Sequence, residues 1–181
     1  VWIGDRAVVL DSVAADGSAL WLRLAAATAA PEPGFTAPDV AFAALDGGSA
    51  PTLAELRGRT VVLVWWSTTC TFCEEARPAT NAAAASYADD PEVVWLAAAG
   101  AANVTMDESA GPVEAFLAAR PYTAPVVLAP AAALGAYAVD GYPRYVVVAP
   151  DGRVVFDESG SADARMDQLR AAIEVARRTA P

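Results

Sequence analysis

Two cysteines separated by two residues, in the run Cys70-Thr71-Phe72-Cys73, are the residues of this chain best suited to chemistry, and they are its only cysteines. A dithiol at this spacing can close to a disulfide and reopen, exchanging two electrons with another disulfide. The pair comes just after a dense apolar run, Val61-Val62-Leu63-Val64-Trp65-Trp66, which reads as a buried strand. A cysteine at the head of the following helix meets unpaired backbone N–H groups and the positive end of the helix dipole. Both stabilise thiolate, the form that attacks disulfides.

Two other uses of the pair fit less well. A structural staple here would close a loop of only two residues, and stabilisation by restricting the unfolded chain grows with loop length. Half of a zinc site would need further ligands, and the chain has no other cysteine and no histidine.

The absence of histidine and of lysine removes the common general base, the P-loop lysine, Schiff-base chemistry and histidine-ligated metals together. Thiol or carboxylate chemistry remains, with no cofactor and no metal expected. The net charge of -10, with 12 scattered basic residues, opposes a nucleic-acid partner, because binding phosphates requires clustered cations. A length of 181 residues, 55% of them hydrophobic, fits a chain able to bury a proper core. The best membrane candidate, Ala19 to Ala30, is too short and is broken by Arg23, so no transmembrane span is expected. A start at Val1 fits a protein whose leader or anchor was removed, and membrane contact is expected only through such an anchor.

The elements that must position the cysteines follow from periodicity and punctuation. Residues 1–34 read as an N-terminal extension, with Val8-Val9-Leu10 and Leu20-Trp21-Leu22-Arg23-Leu24 flanking the turn dipeptide Asp16-Gly17 as a hairpin. Pro31-Glu32-Pro33-Gly34 is a joint, and the main domain is expected over residues 35–181. There the pattern predicts an edge strand at 41–45, a helical turn capped by Thr52 and ended by Gly58, and strands at 60–66, 93–99 and 125–128. It predicts helices from Cys70 to Tyr87 bent at Pro78, from Ser109 with Val113, Phe116 and Leu117 on one face, and from Ala131 to Tyr137. A hairpin of 145–149 with 154–157 and an amphipathic helix carrying Met166, Leu169, Ile173 and Ala176 close the chain. This alternation implies an α/β fold with a mixed central sheet and helices on both faces.

Gly141-Tyr142-Pro143 lies just before the strand at 145–149. A trans loop proline and a cis one are both compatible with the local sequence. A cis Pro143 would turn the chain sharply and leave the Tyr142 backbone to pair with an extended peptide beside Cys70.

Together these pieces resemble the thioredoxin-like thiol-disulfide oxidoreductases of the TlpA/ResA/CcmG (DsbE) type. The matching stretches are Ala37-Pro38-Asp39, Leu45-Asp46-Gly47, Thr52 to Gly58, the strand into Trp66, Cys70 to Cys73 with Pro78 beyond, Val139-Asp140-Gly141-Tyr142-Pro143, and Pro150-Asp151-Gly152. The resemblance runs from about Phe35 to the C-terminus and implies a thioredoxin-like fold, a cis Pro143, Cys70 as exposed nucleophile and Cys73 as buried resolving thiol. It further implies that Trp66, Tyr142 and Pro143 shape a substrate groove, and that the region from Asn103 to Tyr122 is an insertion relative to plain thioredoxin. The implied partners are a protein thiol or disulfide substrate and a redox partner protein, met extracytoplasmically by a monomer acting as a reductant. An oxidase of the same fold, or a binding module whose disulfide stays closed, are the alternatives.

The chain departs from that family at several positions. Thr69 precedes the first cysteine where most relatives have tryptophan, and Thr71-Phe72 contains no proline. Val64 stands where thioredoxin places a buried aspartate, so no carboxylate is expected to take the proton from Cys73. Glu74, Glu75 and Arg77 read first as a solvated helix face with one charge pair; otherwise the two carboxylates would oppose the helix dipole, with Arg77 offsetting them.

Overall fold

In the computed structural model the described residues are 31–101, 108–160 and 162–178, with 162–164 as backbone only, together with the backbone of three N-terminal strands. Those strands, β1 (Trp2–Ile3), β2 (Arg6–Val13) and β3 (Leu20–Ala26), form an antiparallel sheet in chain order. Val8 lies opposite Leu24, and the register shifts between Leu10 and Ser12. The expected pairing is therefore β2 with β3, while its Asp16-Gly17 turn lies outside the described residues.

The second sheet is built from six strands: β4 (Ala43–Ala44), β5 (Thr60–Trp66), β6 (Val93–Ala99), β7 (Val126–Leu128), β8 (Arg144–Val148) and β9 (Val154–Ser159). Helix α1 (Thr71–Ala85) joins β5 to β6, α2 (Ala110–Ala119) precedes β7, α3 (Ala131–Ala136) precedes β8, and α4 (Ala162–Arg178) closes the chain. The spatial order is β4-β7-β6-β5-β8-β9, parallel between β5, β6 and β7 and antiparallel elsewhere. A strand with a partner on each side and helices over both faces must be apolar throughout, and all seven residues of β5 are buried.

Alternation along β5 divides the core. Val62, Val64 and Trp66 belong to one cluster with Cys73 and Ala76 of α1, Val113 and Phe116 of α2, and Leu169 and Ile173 of α4. Val61, Leu63 and Trp65 belong to the other, with Ala133 and Leu134 of α3 and with Leu53 and Leu56. Each fully buried aliphatic side chain stabilises the fold by about 1.5–3 kcal/mol relative to exposure. The four residues expected to anchor the last helix, Met166, Leu169, Ile173 and Ala176, are all buried.

Residues 53–58 form the expected short turn, with Leu56 N–H donating to the Leu53 carbonyl at 3.2 Å. The cap itself exists: Thr52 N–H donates to Glu55 Oε2 at 2.8 Å and Glu55 N–H donates to Thr52 Oγ1 at 3.3 Å. Gly58, at φ +86°, ends the segment before a regular helix can propagate. Helix α1 runs through Pro78, and Thr80 of the next turn ties it to β8 by a 2.9 Å hydrogen bond with the Tyr145 hydroxyl. Among the described residues no helix is long and apolar enough to cross a membrane.

Register decides what meets the cysteines. Trp65 pairs with Arg144 in the antiparallel β5–β8 ladder, and Trp66 pairs with Ala99 in the parallel β5–β6 ladder. The loop after β5, the loop after β6 and the loop before β8 consequently converge at one edge of the sheet.

Candidate active site

Cys70 is the N-cap of α1, extended at φ -87° and ψ 102°, and its sulfur accepts the Cys73 N–H at 3.0 Å. Its own N–H donates to the Ser67 carbonyl at 3.3 Å, closing a turn across the three residues that separate it from Trp66. A side chain at the N-cap stays at the helix mouth, whereas one three residues on turns with the helix toward the sheet. Cys70 is accordingly half-buried and Cys73 only 1% exposed. The two form a disulfide with their Cα atoms 5.2 Å apart.

The remaining expected groove residues are placed unequally. Trp66 is 0% exposed, covered by the rings of Phe116 at 5.2 Å and Tyr122 at 4.6 Å between centroids. It supports the site from within and offers a partner no surface, which corrects its assignment to the groove: α2 and the chain after it close over that face of β5. Pro143 follows a cis peptide bond as expected, yet its own ring is buried. Tyr142 is half-buried and packs, like Cys70, against the cluster that holds Trp66 and Cys73. Its hydroxyl donates to the Gly100 carbonyl at 2.6 Å, while Gly100 N–H donates to the Trp66 carbonyl at 3.0 Å. A Cβ at Gly100 would lie 2.8 Å from Leu134 Cδ2, so the loop after β6 passes where only glycine fits without displacing that side chain.

Sequence reasoning passed over two residues. Phe72, between the cysteines, is 62% exposed, one of two large apolar side chains so placed among the described residues. Its type and position were visible in the motif. Glu108, just before α2, is 9% exposed, and its Oε1 accepts both the Thr68 N–H and the Thr68 hydroxyl at 2.8 Å. A buried carboxylate therefore stands beside the cysteine loop. The signal was position alone: Glu108 lies in the loop leaving a parallel strand at its carboxyl end, where sites collect in such sheets. Burial, and secondarily the Glu108 charge, push the Tyr142 phenol up from its ordinary value of 10 to about 12.

Glu74 pairs with Arg120 at 3.1 Å, both partners being part exposed, while Arg77 donates to the Pro121 carbonyl at 3.5 Å.

A half-buried sulfur at a helix N-terminus with a buried partner in bonding distance is an arrangement for dithiol-disulfide exchange. The Redoxin family profile matches residues 32–173. The chain belongs to the Redoxin family. The fold is shared with a protein from Chlorobium tepidum described as a thiol:disulfide interchange protein DsbE, at 25% identity and TM-score 0.68, covering 81% of this chain and 99% of that one. It is shared also with Mycobacterium tuberculosis DsbF, at 23% identity and TM-score 0.63, covering 76% and 95%. A secreted Mycobacterium tuberculosis disulfide oxidoreductase homologous to E. coli DsbE matches at 21% identity and TM-score 0.60, covering 76% and 96%. No curated protein matches the chain. This member of the Redoxin family is a thiol-disulfide oxidoreductase with a thioredoxin-like fold.

Proposed function

We propose that the chain reduces disulfides of extracytoplasmic proteins, in cytochrome c maturation or envelope thiol homeostasis, with residues 35–181 as the working domain and 1–34 as an extension. The observation that carries this reading is the asymmetry of the pair, Cys70 half-buried at the helix mouth and Cys73 1% exposed behind it. Cys70 thiolate attacks one sulfur of the substrate disulfide, forming a mixed disulfide and expelling the other sulfur as a thiolate that takes a proton from water. Cys73 then loses its proton, attacks the Cys70 sulfur, and releases the second substrate thiolate. Two electrons pass to the substrate, and a reducing partner protein reopens the Cys70–Cys73 disulfide.

The direction follows from what stabilises the thiolate. A strong oxidant needs its reduced form favoured, as cations or several N–H groups around the sulfur would do. Here the chain has no histidine or lysine, and of the nearby arginines Arg120 is paired with Glu74 while Arg77 is held on the Pro121 carbonyl. The helix mouth, with one N–H on the Cys70 sulfur, is left as the main stabilising influence. That favours the disulfide over the dithiol and so a reductant. Tyr142 is the groove residue with surface to meet the substrate.

The test is the reduction potential of the pair, read by alkylation after equilibration in graded thiol buffers. A value near or below about −270 mV supports a reductant, and one toward about −120 mV makes the protein an oxidase. A pair that resists reduction and leaves neither thiol reactive makes it a binding module.

A further inference from the structure

The loop that delivers Cys70 to the helix mouth is short and is held from outside itself. Between Trp66 and Cys70 stand only Ser67, Thr68 and Thr69. Within the loop, the Cys70 N–H reaches the Ser67 carbonyl at 3.3 Å, and the Ser67 and Thr69 hydroxyls lie 3.3 Å apart. The shorter bonds come from across the molecule: Glu108 Oε1, 40 residues on, accepts the Thr68 N–H and the Thr68 hydroxyl, each at 2.8 Å.

Glu108 makes this pair of short hydrogen bonds at 9% exposure, where water competes little. Its own position is fixed because α2 starts two residues later and packs Val113 and Phe116 into the cluster around Trp66. The Tyr142 phenol, bonded to Gly100, responds to the same charge. One side chain thus ties the chain before α2 to the cysteine loop.

We propose that Glu108 is a positioning residue for thiol-disulfide exchange, its carboxylate clamping Thr68 so that Cys70 is held in attacking geometry at the helix mouth. The work is done by an acceptor in a fixed place, so an amide oxygen at the same point substitutes for the carboxylate. Misplacement of a reacting atom by about 1 Å costs on the order of a hundredfold in rate, which makes a clamp on so short a loop measurable.

The inference rests on exchange at Cys70, and the experiment separates the two. The fully reduced chain is mixed with the disulfide of 2-nitro-5-thiobenzoate. Cys70 forms a bond to one sulfur, the other leaves as a coloured thiolate, and the limiting rate on the alkaline plateau is read by stopped flow for each folded variant. Glu108→Ala is expected to lower that limiting rate by roughly tenfold or more, Glu108→Gln to restore it to within about threefold, and Thr68→Val to fall between them. Combining Glu108→Ala with Thr68→Val is expected to add nothing further, because the two changes remove shared bonds. Should Glu108→Ala fail to fold, Thr68→Val against Glu108→Gln carries the same comparison. An unchanged limiting rate in Glu108→Ala or Thr68→Val overturns the proposal while leaving exchange intact, as does a Glu108→Gln rate as low as that of alanine. A wild-type chain inert toward the disulfide overturns both readings.

Discussion

Arg144 grips Asp157 with two hydrogen bonds, Nε to Oδ1 at 2.6 Å and Nη2 to Oδ2 at 2.7 Å, and both side chains are 7% exposed. Arg144 follows Pro143 directly, and its Nη1 donates to the Ala138 carbonyl at 2.9 Å. Ala138 itself holds a left-handed φ of 44°. The pair therefore pins both ends of the loop that carries Tyr142 to the site.

Removing one member leaves the other charged and buried. Asp157→Ala is expected to destabilise the protein by about 3–5 kcal/mol, whereas an apolar pair such as Arg144→Met with Asp157→Leu costs much less. Urea denaturation of the wild type and the two variants checks both statements. A loss below about 1 kcal/mol in Asp157→Ala would mean that water reaches the guanidinium.

Trp66 is a support and not a contact surface, and the two roles predict different defects. Trp66→Ala is expected to lose about 3–5 kcal/mol of stability through the cavity left between Phe116 and Tyr122. Exchange by its folded fraction should keep its KM for a protein substrate. A raised KM in a variant of unimpaired stability would return Trp66 to the groove.

What could be seen in advance follows physical range. The cysteine pair, β5 and the last helix were legible because a buried strand with six successive apolar residues and a 3.6-residue stripe are local patterns. The cis bond before Pro143 was legible only through resemblance, local sequence leaving it open. The apolar run implied a buried Trp66, but not what covers it, since alternation shows that β5 has two faces but not that Phe116 and Tyr122 cover one of them. The Glu108 contact joins Thr68 to a residue 40 positions away and exists only once β6 and α2 are packed. The short turn at 53–58 was legible for the same local reason as β5, its Thr52 cap and its Gly58 stop both lying within the segment.

Tyr142 is expected to titrate late. Its folded value of about 12 stands above the ordinary 10, so any stability tied to its neutral form is complete below pH 10 and is lost as pH rises from 10 to 12. Tyr122 and Tyr137 are pushed up by burial as well, so they contribute to the same alkaline loss. Tyr142→Phe should remove one late step from the phenolate absorbance titration and flatten the fall in stability over that window. A Tyr142 step centred at pH 10 would show that its hydroxyl does not hold the Gly100 carbonyl in solution.

Phe72 separates recognition from reactivity. A large ring left 62% exposed between two cysteines gains nothing for the fold, and replacing it with serine should change stability by less than about 0.5 kcal/mol. Any protein that brings a disulfide to Cys70 must come within reach of this ring, and burying it would contribute about 1.5–3 kcal/mol to the encounter complex. Phe72→Ser is therefore expected to weaken exchange with a folded protein disulfide roughly tenfold or more, while a small disulfide such as oxidised glutathione, too short to cover the ring, reacts at nearly the wild-type rate. Parallel rate measurements with the two substrates check this. Equal slowing for both would place the effect in the chemistry of Cys70 instead of in docking.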